Sequence, residues 1–343
     1  MRAPSGEPVT EIRALVDGRP VPSDRGLGLQ ATNQAAGTRE LRVQVPEGES
    51  QVSVIAANRF AASVPATVRV RARKTTGILA ELNALARTSG DEQFEIKPKL
   101  YVLAVGVSAY ADPNLKLTYP SKDARDFVAV WGRQKGRLYR DVVVKVLTDG
   151  GATKDEVLDG LDWIRKETTS KDVAVVLLAG HGVMDNNGQY YFLPSNADIE
   201  HLLRTGVSFN DIKSTVAAIA GKTLFFIDTC HSGNVLGTRR AVVNDLNGVV
   251  NELSSAENGA IVFAASTGNQ FSLENREWGN GAFTKAIVDG LQGRADYAGK
   301  GRITVNMLDL FISETVKELT RGRQTPTTAK PQTVPDFPIA FSR

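Results

Sequence analysis

One cysteine, Cys230, occurs in 343 residues, alongside three histidines, three methionines and three tryptophans. A single thiol cannot close an intrachain disulfide, so the fold is not cross-linked from within and no oxidising compartment is implied. Aromatic residues make up only 7% of the chain, and no basic stripe interleaves with them. Lys+Arg of 41 against Asp+Glu of 38 leaves a net charge of +3, too balanced to draw nucleic acid or an anionic membrane surface. No stretch approaches the ~20 apolar residues of a membrane span, and the opening residues hold no apolar signal core. The cytoplasm is therefore the expected location, though the abrupt opening "MRAPSGEPVTEIRALVDG" is also what a piece of a longer protein would show.

What remains is an ordinary globular composition, 42% hydrophobic and 23% charged, at a length suited to about two domains. Residues 9 to 73 alternate in strand fashion through "VTEIRALVDG", "TRELRVQVP", "SQVSVIAAN" and "ATVRVRAR", with turn signals at Asp17-Gly18, at Pro46-Glu47-Gly48 and at Asn58. Short strands at that spacing suggest a small immunoglobulin-like β-sandwich over residues 1–73. Residues 74–99 read as a charged linker with a short helix around Ile78 to Ala86.

From residue 100 the pattern changes. "LYVLAVGVSAY", "DVVVKVLTD", "DVAVVLLAGHG", "KTLFFIDTCHSG" and "GAIVFAAST" are apolar strands separated by helical patterns. Thr153 and Glu156 have capping-box spacing at the start of one helix, and Ala124, Phe127, Val128 and Trp131 form the apolar face of another. The alternation argues for an α/β domain over residues 100–343, a mostly parallel sheet with helices on both faces and ligands beyond the carboxyl ends of the strands. The Thr/Pro-rich "RQTPTTAKPQTVPDFP" reads as a tail that hugs the surface.

Two of those strands end in reactive side chains, His181 and Cys230. A free thiol is mostly protonated at neutral pH, and an imidazole within reach can take its proton and later hand it to a leaving amine. Glycines at 180, 182 and 233 allow tight turns and close approach of a substrate backbone, and the N–H groups around Gly182 and Cys230 could form an oxyanion hole. His231 is adjacent to the thiol, but neighbours in extended chain point to opposite sides. His201 lies in the polar "DIEHLLRTG" and is expected at the surface. A lone cysteine in an apolar context is most often a small buried hydrophobe, so the pairing of two strand-end motifs carries the catalytic reading.

"VVLLAGHG" followed by "FFIDTCHSG" resembles the caspase clan, and within it the bacterial metacaspase-like (orthocaspase) branch; the histidine about 50 residues upstream fits the spacing of such enzymes. "LTYPSKDARDF", "GQYYFLPSNAD" and "FAASTGNQFSLE" extend the resemblance over roughly residues 100 to 340. It implies a caspase-like fold and a cysteine endopeptidase with His181 and Cys230 as its dyad, without a cofactor. Along an extended strand, Asp228 shares a face with Cys230, and a carboxylate there favours a substrate cation. The resemblance makes Asp228 and Asp123 the two acids of a pocket for the residue before the cut, implying cleavage after Arg or Lys, with Ser266 contributing to the same pocket.

Some metacaspases bind calcium through acids shortly after the cysteine motif, where this chain has none before Asp245, so no metal is expected. The long connection "NVLGTRRAVVNDLNGVVNELSSAENG" reads as a functional loop, and Arg239-Arg240 within it, like Arg73-Lys74 in the linker, fits the enzyme's own preference as a maturation site. Two rivals stay open, a silent caspase-like binding scaffold and a peptidase of the same fold directed to Asp or Asn. The N-terminal sandwich could dock a partner.

Overall fold

The computed structural model describes residues 9, 11–20, 43, 45, 48–57, 62–72, 97–185, 187–231, 246–255, 259–266 and 272–342, with residues 11, 20, 48, 72, 230, 231, 246 and 247 described by their backbone alone. The chain divides into two compact units, Met1–Lys97 and Pro98–Arg343.

In the first unit, β1 (Glu11–Val16), β2 (Arg19–Pro20), β3 (Gly48–Ala57) and β4 (Ala66–Ala72) form one antiparallel sheet in the order β2-β1-β3-β4. The Asp17-Gly18 turn forms as its composition dictates, with positive φ at both residues, the conformation that matches the twist of a two-residue hairpin. Among the described residues this is a single sheet; a second layer, which a sandwich needs, is not among them. The strand expected over "TRELRVQVP" lies almost wholly outside the described residues, as do the linker helix expected around residues 78–86 and the Arg73-Lys74 pair.

The second unit is built on β5 (Lys99–Gly106), β6 (Asp141–Thr148), β7 (Val173–Met184), β10 (Lys222–His231) and β11 (Ala260–Ala264), all parallel, in the order β11-β10-β7-β5-β6. Beside the end of β7, β8 (Tyr190–Phe192) pairs antiparallel to it, and β9 (Val207–Ser208) pairs with β8. The near-continuous apolar runs are explained by two covered faces. Tyr101, Leu103, Val105, Val176, Leu178, Phe225 and Ile227 pack on one side, and Val102, Ala104, Val175, Leu177, Leu224, Phe226 and Phe263 on the other. Helices α2 (Lys154–Glu167), α3 (Phe209–Ala218) and α4 (Leu246–Leu253) cover the first face, and α1 (Pro120–Gly132), α5 (Ala282–Asp289) and α6 (Val305–Thr320) the second. At the start of α2 the Thr153 hydroxyl accepts the Glu156 N–H.

Two expectations change. The tail does not merely hug the surface: β15 (Thr327–Ala329) pairs antiparallel with β11 as the edge of the main sheet, and Gln324 and Thr333 are fully buried. The long connection after Cys230 contains α4, whose Val249, Val250 and Leu253 are buried in the core. Both segments were masked by polar flanks, and burial against the sheet supplied what local pattern did not.

Candidate active site

The register between β7 and β10 runs from Lys222 opposite Val173 to His231 opposite Gly182 and brings the backbone of Cys230 directly opposite that of His181. Two parallel neighbouring strands thus deliver the imidazole-bearing and thiol-bearing residues at one level of the sheet edge. The second layer of the register places Gly182 next to Phe192 of β8.

His181 is 6% exposed and held from two sides. Its Nε2 lies 2.9 Å from the carbonyl oxygen of Leu115, so an Nε2–H tautomer donates there and leaves Nδ1 as the basic nitrogen. Its backbone N–H donates to the Tyr110 hydroxyl at 2.9 Å, and the Tyr110 ring leans against the imidazole at 5.2 Å between centroids. Gly180 makes this possible. Its φ is +150°, and a side-chain carbon there would stand 2.7 Å from the Tyr110 oxygen. Burial lowers the His181 pKa from its ordinary value, opposed by the bond to Leu115, so the ring is neutral at physiological pH and able to accept a proton.

Both contacts come from the loop between β5 and α1. Asp149, at a positive φ just after β6, anchors that loop by accepting the N–H groups of Ser108 and Ala109, each at 2.9 Å, and the Ser121 hydroxyl. Leu117 N–H donates to the Ser108 carbonyl at 2.9 Å, closing the loop on itself.

Beside this pair is a small pocket, open to solvent and lined by Pro120, Asp123, Ala179, Asp228, Ser272, Leu273, Glu274 and Gly281. Asp123, 2% exposed in the first turn of α1, accepts Asn280 Nδ2 at 2.7 Å and the Gly281 N–H at 3.2 Å. Asp228, 6% exposed near the end of β10, accepts the hydroxyls of Ser272 and, at 3.3 Å, Thr284. The two carboxylates converge: a side-chain carbon on Gly281 would lie 3.2 Å from Asp123 Oδ2 and 3.4 Å from Asp228 Oδ2. Burial, then the charge of Asp228, pushes Asp123 up to about 8, although its donors resist. Burial pushes Asp228 up to about 6, against the pull of Ser272 and with Glu274 adding to the rise. Ionisation of either acid is therefore costly here, and a nearby positive charge would favour the ionised form of both.

Asp123 and Asp228, far apart in sequence, are therefore brought together. Ser266 is buried just past β11, and the described residues lining the pocket do not include it; the hydroxyls that reach Asp228 belong to Ser272 and Thr284. Arg239 and Arg240 lie outside the described residues. His201 is exposed as expected, with Nδ1 2.7 Å from Asp198 Oδ2. Among the described residues no three His, Cys, Asp or Glu side chains cluster as metal ligands, and no helix is long and apolar enough to cross a membrane. Sequence reasoning missed Tyr110, the Leu115 carbonyl, Glu274, Asn280 and Gly281. A backbone carbonyl has no side-chain signature, and the others lie in short segments whose roles depend on a distant partner.

A family model described as the caspase domain matches residues 99–337. Among solved structures, a structural-genomics protein from Geobacter sulfurreducens superposes with a TM-score of 0.51 at 19% identity, covering 72% of this chain and all of its own, 100%. Pro-sf-caspase-1 gives 0.44 at 16% identity over 71% of this chain and 96% of its own. Caspase-1 from Spodoptera frugiperda gives 0.45 at 12% identity over 71% and 93%. At such identities the Geobacter likeness speaks to the fold alone. No curated protein matches the chain.

Proposed function

The chain belongs to the caspase-domain family, which marks it as a cysteine-type peptidase in general, and we propose that it is an endopeptidase that cuts proteins after arginine or lysine with a Cys230–His181 dyad. The observation that carries the specificity is the convergence of two buried carboxylates in one pocket, Asp123 from the first turn of α1 and Asp228 from β10, two residues before Cys230. A guanidinium or ammonium group entering it gains two charge-assisted contacts, whereas an aspartate side chain meets repulsion.

In the proposed reaction, neutral His181 takes the Cys230 proton on Nδ1 while Nε2–H stays on the Leu115 carbonyl, which fixes both tautomer and ring plane. The thiolate attacks the carbonyl carbon of the residue whose side chain fills the pocket. The oxyanion is stabilised by backbone N–H groups near Gly182 and Cys230. His181 then gives its proton to the departing amine, leaving a thioester. Water, deprotonated by the same imidazole, hydrolyses it and restores the thiol.

The regulatory reading is that the enzyme matures by cutting itself at Arg239-Arg240 or at Arg73-Lys74. Intact mass of wild type beside Cys230→Ala reads this directly: only wild type is shortened, and a wild type as long as the variant removes the idea. The N-terminal unit is proposed to bind a partner or to join the peptidase to a recognition module, with peptides and proteins, rather than nucleic acid, as the partners of the catalytic unit.

Short fluorogenic peptides ending in Arg, Lys, Asp or Asn test the whole reading. Turnover is expected after Arg and Lys, abolished by Cys230→Ala, with selectivity for basic residues lost in Asp228→Ala. Turnover after Asp or Asn contradicts the specificity, and no turnover after any residue favours a silent scaffold.

A further inference from the structure

Glu274 stands where the two halves of this site meet. It opens β12 (Glu274–Asn275), a two-residue strand whose register with β13 (Asn280–Gly281) sets Glu274 opposite Gly281, the residue that donates its N–H to Asp123. The segment leading to it is tied down. Ser272 donates to Asp228, Leu273 N–H donates to Gln324 Oε1 at 2.8 Å, and the Leu273 carbonyl accepts the Ala282 N–H at 2.9 Å. Glu274 thereby becomes a third carboxylate on the pocket wall, and its charge contributes to the raised pKa of both Asp123 and Asp228.

The same carboxylate reaches the other half of the site. Its Oε2 accepts the N–H of Thr118 at 3.2 Å and its Oε1 that of Tyr119 at 3.3 Å. These two donors lead into α1, whose N-cap Tyr119 has no side-chain cap of its own and whose next residue, Pro120, lacks an N–H. An acid from elsewhere in the fold satisfies this end, where the helix dipole favours negative charge. Thr118 is three residues past Leu115, whose carbonyl orients His181, and Leu117 is bonded back to Ser108. Anchoring Thr118 and Tyr119 therefore limits the freedom of the carbonyl that sets the imidazole.

We propose that Glu274 is both a specificity-determining residue of the basic pocket and a positioning residue for His181, so that cation binding and alignment of the base share one carboxylate. The first half rests on the Arg/Lys reading, and the second does not. Each carboxylate oxygen has lone pairs for more than one donor, so a bound cation and the two N–H groups are served together. A substrate cation also neutralises the three-acid cluster that otherwise repels itself, firming the strap between pocket and loop.

Two conservative variants separate the roles. Glu274→Gln removes charge but keeps an acceptor at full reach; Glu274→Asp keeps charge but withdraws the oxygens by one methylene. With Arg peptides, Glu274→Gln is expected to raise KM about tenfold, and Glu274→Asp to change KM far less while lowering kcat about tenfold. Alkylation of Cys230 by iodoacetamide does not use the pocket. Its rate near neutral pH should fall clearly in Glu274→Asp and little in Glu274→Gln. Equal alkylation rates in wild type and Glu274→Asp overturn the positioning role. An unchanged KM in Glu274→Gln, in an enzyme that does cut after Arg, overturns the specificity role. Should wild type cut after other residues instead, the KM arm fails together with the Arg/Lys reading, while the alkylation arm still decides the positioning role. Thermal unfolding of each variant identifies a loss caused by unfolding, and the remaining variant then carries the comparison.

Discussion

Asp123 shows how much of the site's behaviour is set by single residues. With Asp228 pushed up to about 6 and Asp123 to about 8 by burial and by neighbouring carboxylates, the pocket gains one charge and then a second as pH rises through that range. On the proposed Arg/Lys reading a substrate cation binds the ionised form, so KM for Arg peptides is expected to fall as pH rises from 6 to 8; a flat KM across that window contradicts this, since the proposed dyad would act mainly on kcat. Stability runs the other way. A carboxyl whose folded pKa is raised holds more protons folded than unfolded between its model value of 3.8 and about 8, so its contribution to stability is lost as pH rises through that interval. Asp123→Asn should flatten this part of the Tm-against-pH curve and weaken the preference for basic residues, which differential scanning calorimetry and the peptide panel read separately. Cys230 and His181 were legible as residues because they are rare and end apolar strands. Asp228 followed from alternation along β10, while Asp123 was visible only through resemblance. Glu274 and the Leu115 carbonyl had no local signal, since an acid in a polar turn and a main-chain oxygen look like any other.

Elements convert those residues into a geometry. The long parallel strands were readable because burial on both faces demands unbroken apolar runs, and the sheet order follows their packing. Phe226 stacks on Phe263 at 4.6 Å between centroids and meets Phe127 edge-on at 5.2 Å, two residues before Asp228. Phe226→Ala should cost about 3–5 kcal/mol by denaturant unfolding, because the aromatic cluster leaves a cavity when one ring is removed. Gly180 has a different importance. Gly180→Ala combines a strained φ with a clash on the Tyr110 oxygen, so peptide turnover should fall by about 10²-fold as His181 shifts, with the protein still folded by circular dichroism. Turnover near wild type would show that Tyr110 does not matter for the base. The strands β8, β12, β13 and β15 were not readable, being two or three residues each. Their pairing is decided by what lies beside them rather than by their own period.

The whole molecule divides after Lys97, near the point where alternating strands give way to a continuous apolar run. A chain beginning at Pro98 is expected to unfold in one cooperative transition and to keep its peptide turnover; aggregation of that shorter chain would mean that the first unit is needed for the fold of the second. By itself the sequence determined the class of the second unit, the chain order of its strands and the two residues that could form a dyad, because strand period, burial and reactive side-chain identity are all written in contiguous residues. Only the tertiary structure decided that β7 and β10 are neighbours in a register that sets Cys230 opposite His181, that Asp123, Asp228 and Glu274 share one pocket, and that a carbonyl at Leu115 holds the imidazole. Those relations join residues distant in the chain, several through backbone atoms common to every residue, so they exist only once the sheet order and its short pairings have formed.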